Sequence, residues 1–220
     1  MKNKLPKQAV VLLSGGLDSA TVLYLAKAKG YRCHCLIFDY GQLHKKEITQ
    51  AVKIARAGKC TYKILKIDFP WKGSALLDRK IKIVEDVSSG VPATYVPSRN
   101  IIFLSFALSF AEVIRAQAIF IGAHAQDYSG YPDCRPVFFK AFIKMAEAGT
   151  LYGKKIKIIV PLLNKSKAQI ISLGTKLGVP FNLTWSCYRG KDYPCGKCDS
   201  CHYRLKGFKE AGLVDPLVKI

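Results

Sequence analysis

Two groups of residues in this chain have the types and spacing to do chemistry. The first is Ser14-Gly15-Gly16-Leu17-Asp18-Ser19, which lies between an apolar run and a stretch of helical periodicity. Glycines at such a junction allow positive φ and let backbone N–H groups come close to an anion. The helix that follows adds unpaired N–H donors and a favourable dipole. Ser14 and Ser19 add hydroxyl donors, and Asp18 makes sense beside phosphate if it helps to hold Mg²⁺. No Gly-Lys-Ser/Thr follows the glycines, so this is not the loop of ordinary P-loop ATPases. The expected nucleotide contacts here run from Leu13 through Ser14, Gly15, Gly16, Leu17 and Asp18 to Ser19.

The second group is Cys187, Cys195, Cys198 and Cys201, with seven, two and two residues between them. Four thiolates in one short loop suit a closed tetrahedral zinc site. C-x₂-C-x₂-C is also the triplet of ferredoxin-type clusters, although here the fourth cysteine lies upstream and no Cys-Pro follows. Arg189, Lys191 and Lys197 offset the negative charge of four thiolates. Cys33 and Cys35 alternate on an apolar run and read as small core residues.

Three further strings fall where ligands bind in open α/β sheets, at carboxyl ends of strands or at helix starts. Phe38-Asp39-Tyr40-Gly41-Gln42 brings Phe38, Tyr40, Gln42 and the nearby His44 toward a nucleotide. Val96-Pro97-Ser98-Arg99-Asn100 and Ser129-Gly130-Tyr131-Pro132-Asp133-Cys134-Arg135 supply Arg99 and Arg135, each able to clamp an anion with two parallel hydrogen bonds. Asp133 and Asp127 could hold a metal or the amino edge of a purine, and Cys134 is a cleft candidate without an obvious basic partner. His124 also sits at a strand end near the presumed cleft.

The elements that must position these residues alternate. Strands are predicted over 8–13, 31–38, 62–67, 118–122 and 156–160, and helices over 18–29, 44–57, 101–115, 136–148 and 165–177. A β-α-β-α-β order calls for a parallel sheet with right-handed crossovers and helices on both faces. The 69–95 stretch has few regular signals and reads as a long loop, and from Trp185 onward the cysteine segment ends the chain. The apolar 101–115 helix reads as packed between the sheet and a partner surface.

With 220 residues, half of them hydrophobic, the chain can bury one full core and a small appendage. No run approaches the roughly 18 apolar residues of a membrane span, which with the absence of a signal-peptide pattern gives the expectation of a soluble, cytoplasmic protein. Eight cysteines in such a compartment point to metal binding over disulfides. Lys and Arg number 35 against 15 acidic residues, a net +20, but they are dispersed rather than gathered into a basic arm. Net charge is an unspecific sign of a nucleic-acid partner.

The 14–19 hexapeptide resembles the signature of the PP-loop ATP pyrophosphatases, and with FDYGQ and SGYPDCR the chain is similar to the 7-cyano-7-deazaguanine (preQ0) synthases over about 10–205. The chain departs from that pattern at Ser98, where glycine is expected, and at Val137, where an acidic residue often stands. The resemblance implies an α/β, Rossmann-like, doubly wound parallel sheet over 1–180 with a small zinc-binding segment over 181–220. It implies an ATP-dependent ligase that adenylates 7-carboxy-7-deazaguanine, lets ammonia attack, and adenylates the resulting amide to reach the nitrile, releasing AMP and pyrophosphate. It also implies Zn²⁺ at the four cysteines, ATP and Mg²⁺ as cosubstrate and ion, a homodimer, and a catalytic set of Asp18, Arg99, Asp133 and Arg135. No membrane is involved, and nucleic acid is neither required nor excluded. Two other readings compete: a PP-loop tRNA thiolase that would recruit Cys134, and a non-enzymatic RNA-binding zinc protein, which leaves the 14–19 loop without a purpose.

Overall fold

The computed structural model describes residues 6–82, 90–124, 130–190 and 192–218. Asp127, Ser129 and Lys191 lie outside the described residues, as does 83–89 of the long loop. Five strands form one sheet: β1 (Gln8–Leu12), β2 (Arg32–Asp39), β3 (Thr61–Lys66), β4 (Ala118–Phe120) and β5 (Lys157–Ile159). Their order is β3-β2-β1-β4-β5 and every pairing is parallel.

The central strands read as continuous apolar runs because both faces of the sheet are covered. Ala9, Val11, Cys33, Cys35, Ile37, Ala118 and Phe120 face one layer of helices: α1 (Leu17–Ala28), α2 (Lys46–Ala57) and α5 (Lys167–Lys176). Val10, Leu12, Leu36, Phe38, Ile119 and Ile121 face the other, formed by α3 (Arg99–Val113) and α4 (Pro136–Gly149). The expected doubly wound architecture is what the chain adopts. The period-two division of one run between two cores ties the strand register to burial, since a one-residue slip would exchange the two faces.

Helix starts decide which side chains reach the cleft. Asn100 begins the second position of α3, and its backbone N–H donates to Asp133 Oδ2 at 2.9 Å while its side chain donates to the Asp133 carbonyl at 3.1 Å. Asp133 thus caps a helix from another segment, which puts Arg99 inside α3 rather than before it. Ser98, just ahead, adopts φ 57°, the left-handed region. The glycine expected there would hold this conformation without the steric cost a side chain brings.

At α5, Ser166 Oγ accepts from Gln169 N at 3.3 Å and Gln169 Oε1 accepts from Ser166 N at 3.0 Å. This reciprocal capping box pins Lys167 as the first helical residue. A cation at that position opposes the helix dipole, so its place needs another reason.

The cysteine segment contains a helix that sequence periodicity did not reveal, α6 (Asp199–Glu210). Its Phe208 enters the core beneath α1, α2 and α5, and Phe181 packs edge-on against it at 5.4 Å.

Candidate active site at the switch of strand order

In a 3-2-1-4-5 sheet the crossovers reverse direction between β1 and β4, and their diverging loops leave a crevice at the carboxyl ends. A cavity of about 270 Å³ opens there, walled by the 14–19 loop, the ends of β2 and β4, the start of α3 and residues of the cysteine segment. The loop braces itself. Ser14 N donates to Ser19 Oγ at 3.2 Å, the two hydroxyls lie 3.0 Å apart, and Ser19 Oγ donates to the Gly16 carbonyl at 3.1 Å. Gly15 sits at φ +90°, and a Cβ there would stand 2.3 Å from the Glu47 carbonyl oxygen of α2. Gly122, on the opposite wall, meets the start of α1 so closely that a Cβ would lie 3.1 Å from Ser19 N.

Asp18 projects into the cleft from the first turn of α1 and is met from α5. Lys167 Nζ stands 3.0 and 2.9 Å from its two carboxylate oxygens and 2.9 Å from His124 Nε2, which is itself 3.6 Å from Asp18 Oδ2. Burial alone would raise the Asp18 carboxyl; Lys167 and His124 outweigh it and hold the group below its ordinary range. The position of Lys167 against its helix dipole is explained by this contact. Glycine again makes room, because the Lys167 stem crosses Gly207 of α6, where a Cβ would come within 2.4 Å.

Across the cleft, Arg99 lies over the Tyr40 ring at 5.9 Å and donates to its hydroxyl at 3.4 Å. Burial would lower the guanidinium, but Tyr40, Tyr131 and Asp133 hold it firmly charged. Burial pushes the Tyr40 phenol up. Gln42 accepts from Tyr40 N at 2.8 Å and donates to the Phe38 carbonyl at 3.1 Å, so its amide already braces the turn at Gly41. Phe38 stacks on Phe103 at 3.9 Å, forming an aromatic wall. Glu47 lines the same cleft, and burial, partly offset by Arg99, pushes its carboxyl up to about 7.

Of the residues expected to bind nucleotide, Leu13, Ser14, Gly16, Asp18, Ser19, Phe38, Tyr40, Gln42 and His44 all line this cleft. Gly15 shapes the turn from behind, and Leu17 is 2 % exposed and turned into the core. Of the expected catalytic set, Asp18 and Arg99 both line it. Asp133 is buried behind the wall as the α3 cap, and Arg135 is exposed and is not among the lining residues. Cys134 does line the cleft, and its sulfur accepts from Asn100 Nδ2 at 3.2 Å. Sequence reasoning missed Lys167, Glu47 and Trp185. The Ser-Lys-Ala-Gln start of α5 was a legible capping signal for Lys167, but nothing local announced its reach to Asp18.

The four cysteines converge as their spacing indicated. Their sulfurs all lie within 4.8 Å of one another, with Cys198–Cys201 at 3.5 Å, Cys198–Cys187 at 3.9 Å and Cys195–Cys201 at 4.0 Å. Four thiolates about 2.3 Å from one tetrahedral ion stand about 3.8 Å apart, so the set fits a single metal. A cubic cluster would spread them around several irons and sulfides. Backbone N–H groups point at the sulfurs: Gly190 and Cys195 donate to Cys187 Sγ at 3.0 and 3.2 Å, and Cys198 donates to Cys195 Sγ at 3.4 Å. This segment also touches the anion loop. Trp185 N donates to the Gly15 carbonyl at 2.8 Å, Trp185 Nε1 donates to the Cys187 carbonyl at 3.0 Å, and Lys46 Nζ lies 3.8 Å over the indole.

The sequence profile of the family described as Queuosine biosynthesis protein QueC matches residues 8–212. The chain belongs to the QueC family. It is 51 % identical over 221 residues to the 7-cyano-7-deazaguanine synthase of Nostoc punctiforme, covering 96 % of this chain and 99 % of that one. The enzyme of the same name from Pseudomonas putida is 51 % identical over 217 residues, covering 96 % and 97 %. Among solved structures, the NMN synthetase of Francisella tularensis superposes with a TM-score of 0.51 at 18 % identity, over 96 % of this chain and 79 % of that one, a likeness of fold alone. By these relatives the chain is an ATP-dependent ligase, and its 14–19 loop stands at the switch point of the sheet. Among the described residues no helix is long and apolar enough to cross a membrane.

Proposed function

We propose that this chain is an ATP-dependent ligase that turns 7-carboxy-7-deazaguanine and ammonia into 7-cyano-7-deazaguanine. Carboxylate oxygens do not leave unaided. One adenylation makes the acid open to ammonia, and a second, on the amide oxygen, makes AMP the leaving group as the nitrile forms. The observation that carries this reading is the opposition of the 14–19 anion loop and Arg99 across one cleft. The loop, the first turn of α1 and Lys167 would grip the β- and γ-phosphates, with Asp18 exchanging its Lys167 contact for Mg²⁺ as Mg-ATP enters. Arg99 would hold the substrate carboxylate, and Asp133 would act through Asn100 to fix Arg99 in place. Arg135 has no part in this scheme, because it is exposed and away from the walls. Positioning and charge stabilisation then supply the catalysis without a covalent intermediate on the enzyme.

The four thiolates suit Zn²⁺, which would be structural in a closed site. Residues 181–220 would serve as a metal-stiffened module holding the cleft wall of 1–180. A homodimer is supported by α3, whose Ile101, Phe106 and Val113 are 42, 43 and 78 % exposed. These lie beside the open edge strand β3, whose Lys63 rests over Phe110 at 5.9 Å. An exposed apolar face of this kind suits an interface, and an uncharged patch is where two copies of a chain of net +20 could meet with least local repulsion. Free thiols and an ATP cosubstrate suit a cytoplasmic enzyme.

The test is mass spectrometry of the protein incubated with Mg-ATP, ammonium and 7-carboxy-7-deazaguanine. Nitrile appearing with AMP and pyrophosphate is the expected result; AMP formed only when tRNA replaces the free base would overturn it.

A further inference from the structure

The scheme above leaves the protein one more task, because nitrogen must shed its protons. Ammonia adds to the adenylated carbonyl as a neutral molecule, its nitrogen becomes cationic, and it loses one proton as AMP departs and the amide forms. The adenylated amide then loses its two remaining N–H protons as the C–O bond to AMP breaks and the third C–N bond forms. A base in the cleft must accept them.

The titratable groups on the walls narrow the choice. Asp18 is held by Lys167 and belongs to the phosphate side. Burial pushes the His44 imidazole below its ordinary value, making it a weaker base. Tyr40 is pushed up and is a donor at neutral pH. Glu47 stands in the first turn of α2, whose backbone rests on the anion loop, and its carboxyl makes no hydrogen bond or ion pair among the described residues. The charge that acts on it is that of Arg99, the one arginine among the described residues that line the cleft and the group suited to the substrate carboxylate. Resting on the ligase reading, we propose that Glu47 is the proton acceptor for nitrogen in both half-reactions.

Glu47 is poised for that work. Its carboxyl is pushed up to about 7, against an ordinary value of 4.5, because burial outweighs the pull of Arg99. A base with affinity near the working pH combines an available lone pair with useful proton-transfer drive. The titratable and charged groups that line the cleft with it are Asp18 from α1, Tyr40 after β2, His44 before α2, Arg99 from α3, Tyr131 and Cys134 ahead of α4, and Tyr188 of the cysteine segment. Arg99 is the one that keeps Glu47 from rising further, so carboxylate binding at Arg99 would make Glu47 a stronger base.

The Glu47→Gln variant separates this role from binding. Exchange of labelled pyrophosphate into ATP, driven by 7-carboxy-7-deazaguanine without ammonia, reads the first adenylation alone. Expected is exchange within about threefold of wild type, while nitrile formation falls roughly 10²- to 10⁴-fold, the usual contribution of general base catalysis. At constant free ammonia, the wild-type rate falls about tenfold per pH unit below about 7, and this limb vanishes in Glu47→Gln. Glu47→Asp, one methylene shorter, restores part of the rate together with the limb. Exchange and nitrile formation falling together would assign Glu47 to substrate binding and overturn the proposal, as would full nitrile formation in Glu47→Gln. No exchange in the wild type would instead bring down the ligase reading, and this proposal with it.

Discussion

The anion loop and the cysteine segment meet at Trp185, whose backbone N–H bonds to Gly15 and whose indole N–H bonds to Cys187, yet they gain their shape in different ways. The loop is held by sterics and by its own hydroxyls. Gly15 leaves no space for even one methyl group against the Glu47 carbonyl, and Ser14 and Ser19 close the turn over it. The cysteine segment has a steric lock of its own at Gly190, where a Cβ would stand 2.1 Å from the Tyr193 carbonyl oxygen, but its sulfurs are held by backbone N–H groups rather than by hydroxyls. Four sulfurs lie within 4.8 Å of one another, with N–H groups aimed at them, an arrangement that could hold a metal ion. Backbone packing and hydroxyls shape the loop, whereas the cysteine segment gathers four sulfurs in an arrangement that could hold a metal. The segment is anchored on its other side by a buried fork, in which Arg204 donates to Asp215 at 2.7 and 2.8 Å and to Thr184 Oγ1 at 2.7 Å.

The contrast can be broken most severely at the metal. Cys198→Ser removes one thiolate from a closed site whose ion contributes folding energy, so bound metal should be lost and stability should fall by several kcal/mol. Elemental analysis and thermal unfolding check this, and ATP binding should weaken as well because Trp185 loses its support. Unchanged metal content would remove the site.

Breaking the loop comes next. Gly15→Ala combines a clash at 2.3 Å with strain at φ +90°, and should cost about 2–4 kcal/mol in denaturant unfolding. Gly16→Ala meets nothing nearer than 3.4 Å and should be close to neutral in stability, which makes the pair a sharp test of steric prebuilding.

Asp18→Asn should abolish AMP formation and lower stability at pH 7, since one partner of a largely buried pair is removed and Lys167 is left without its carboxylate. The sign follows from the lowered carboxyl. Its stabilising contribution is present above the ordinary value of 3.8 and is lost as pH falls through the folded-state value. Wild type and variant should therefore converge in stability as pH falls below the ordinary carboxylate value of 3.8, which acid unfolding curves would show.

Glu47 has the opposite sign. Its raised carboxyl favours the folded state fully below 4.5 and costs stability as pH rises through about 7. Glu47→Gln should thus be more stable than wild type at pH 8, by about 1 kcal/mol after allowance for solvent screening, even as it loses turnover. The smallest effect sharpens the steric argument at a third place. Ser98→Gly relieves a left-handed residue and should stabilise the chain by about 0.5–1 kcal/mol, measured as a shift in the urea midpoint.

What the sequence carried by itself was local and periodic. The alternation of apolar runs and helical stretches gave five strands in their order along the chain, because a strand covered on both faces reads as a short continuous apolar run and a helix as a more widely spaced stripe. The 14–19 hexapeptide and the four cysteines were legible because each function lies within one short turn. Even the departure at Ser98 was visible as an odd residue, and φ 57° supplies its meaning. The tertiary structure alone decided the rest. It moved Asp133 from the cleft to a helix cap and left Arg135 at the surface, since helix starts fix direction and a one-residue offset reverses it. It brought Lys167 to Asp18 across 149 positions of chain, and set Glu47 beside Arg99. Such pairings depend on how crossovers stack helices around a sheet, a property of the packed whole that no window of sequence contains.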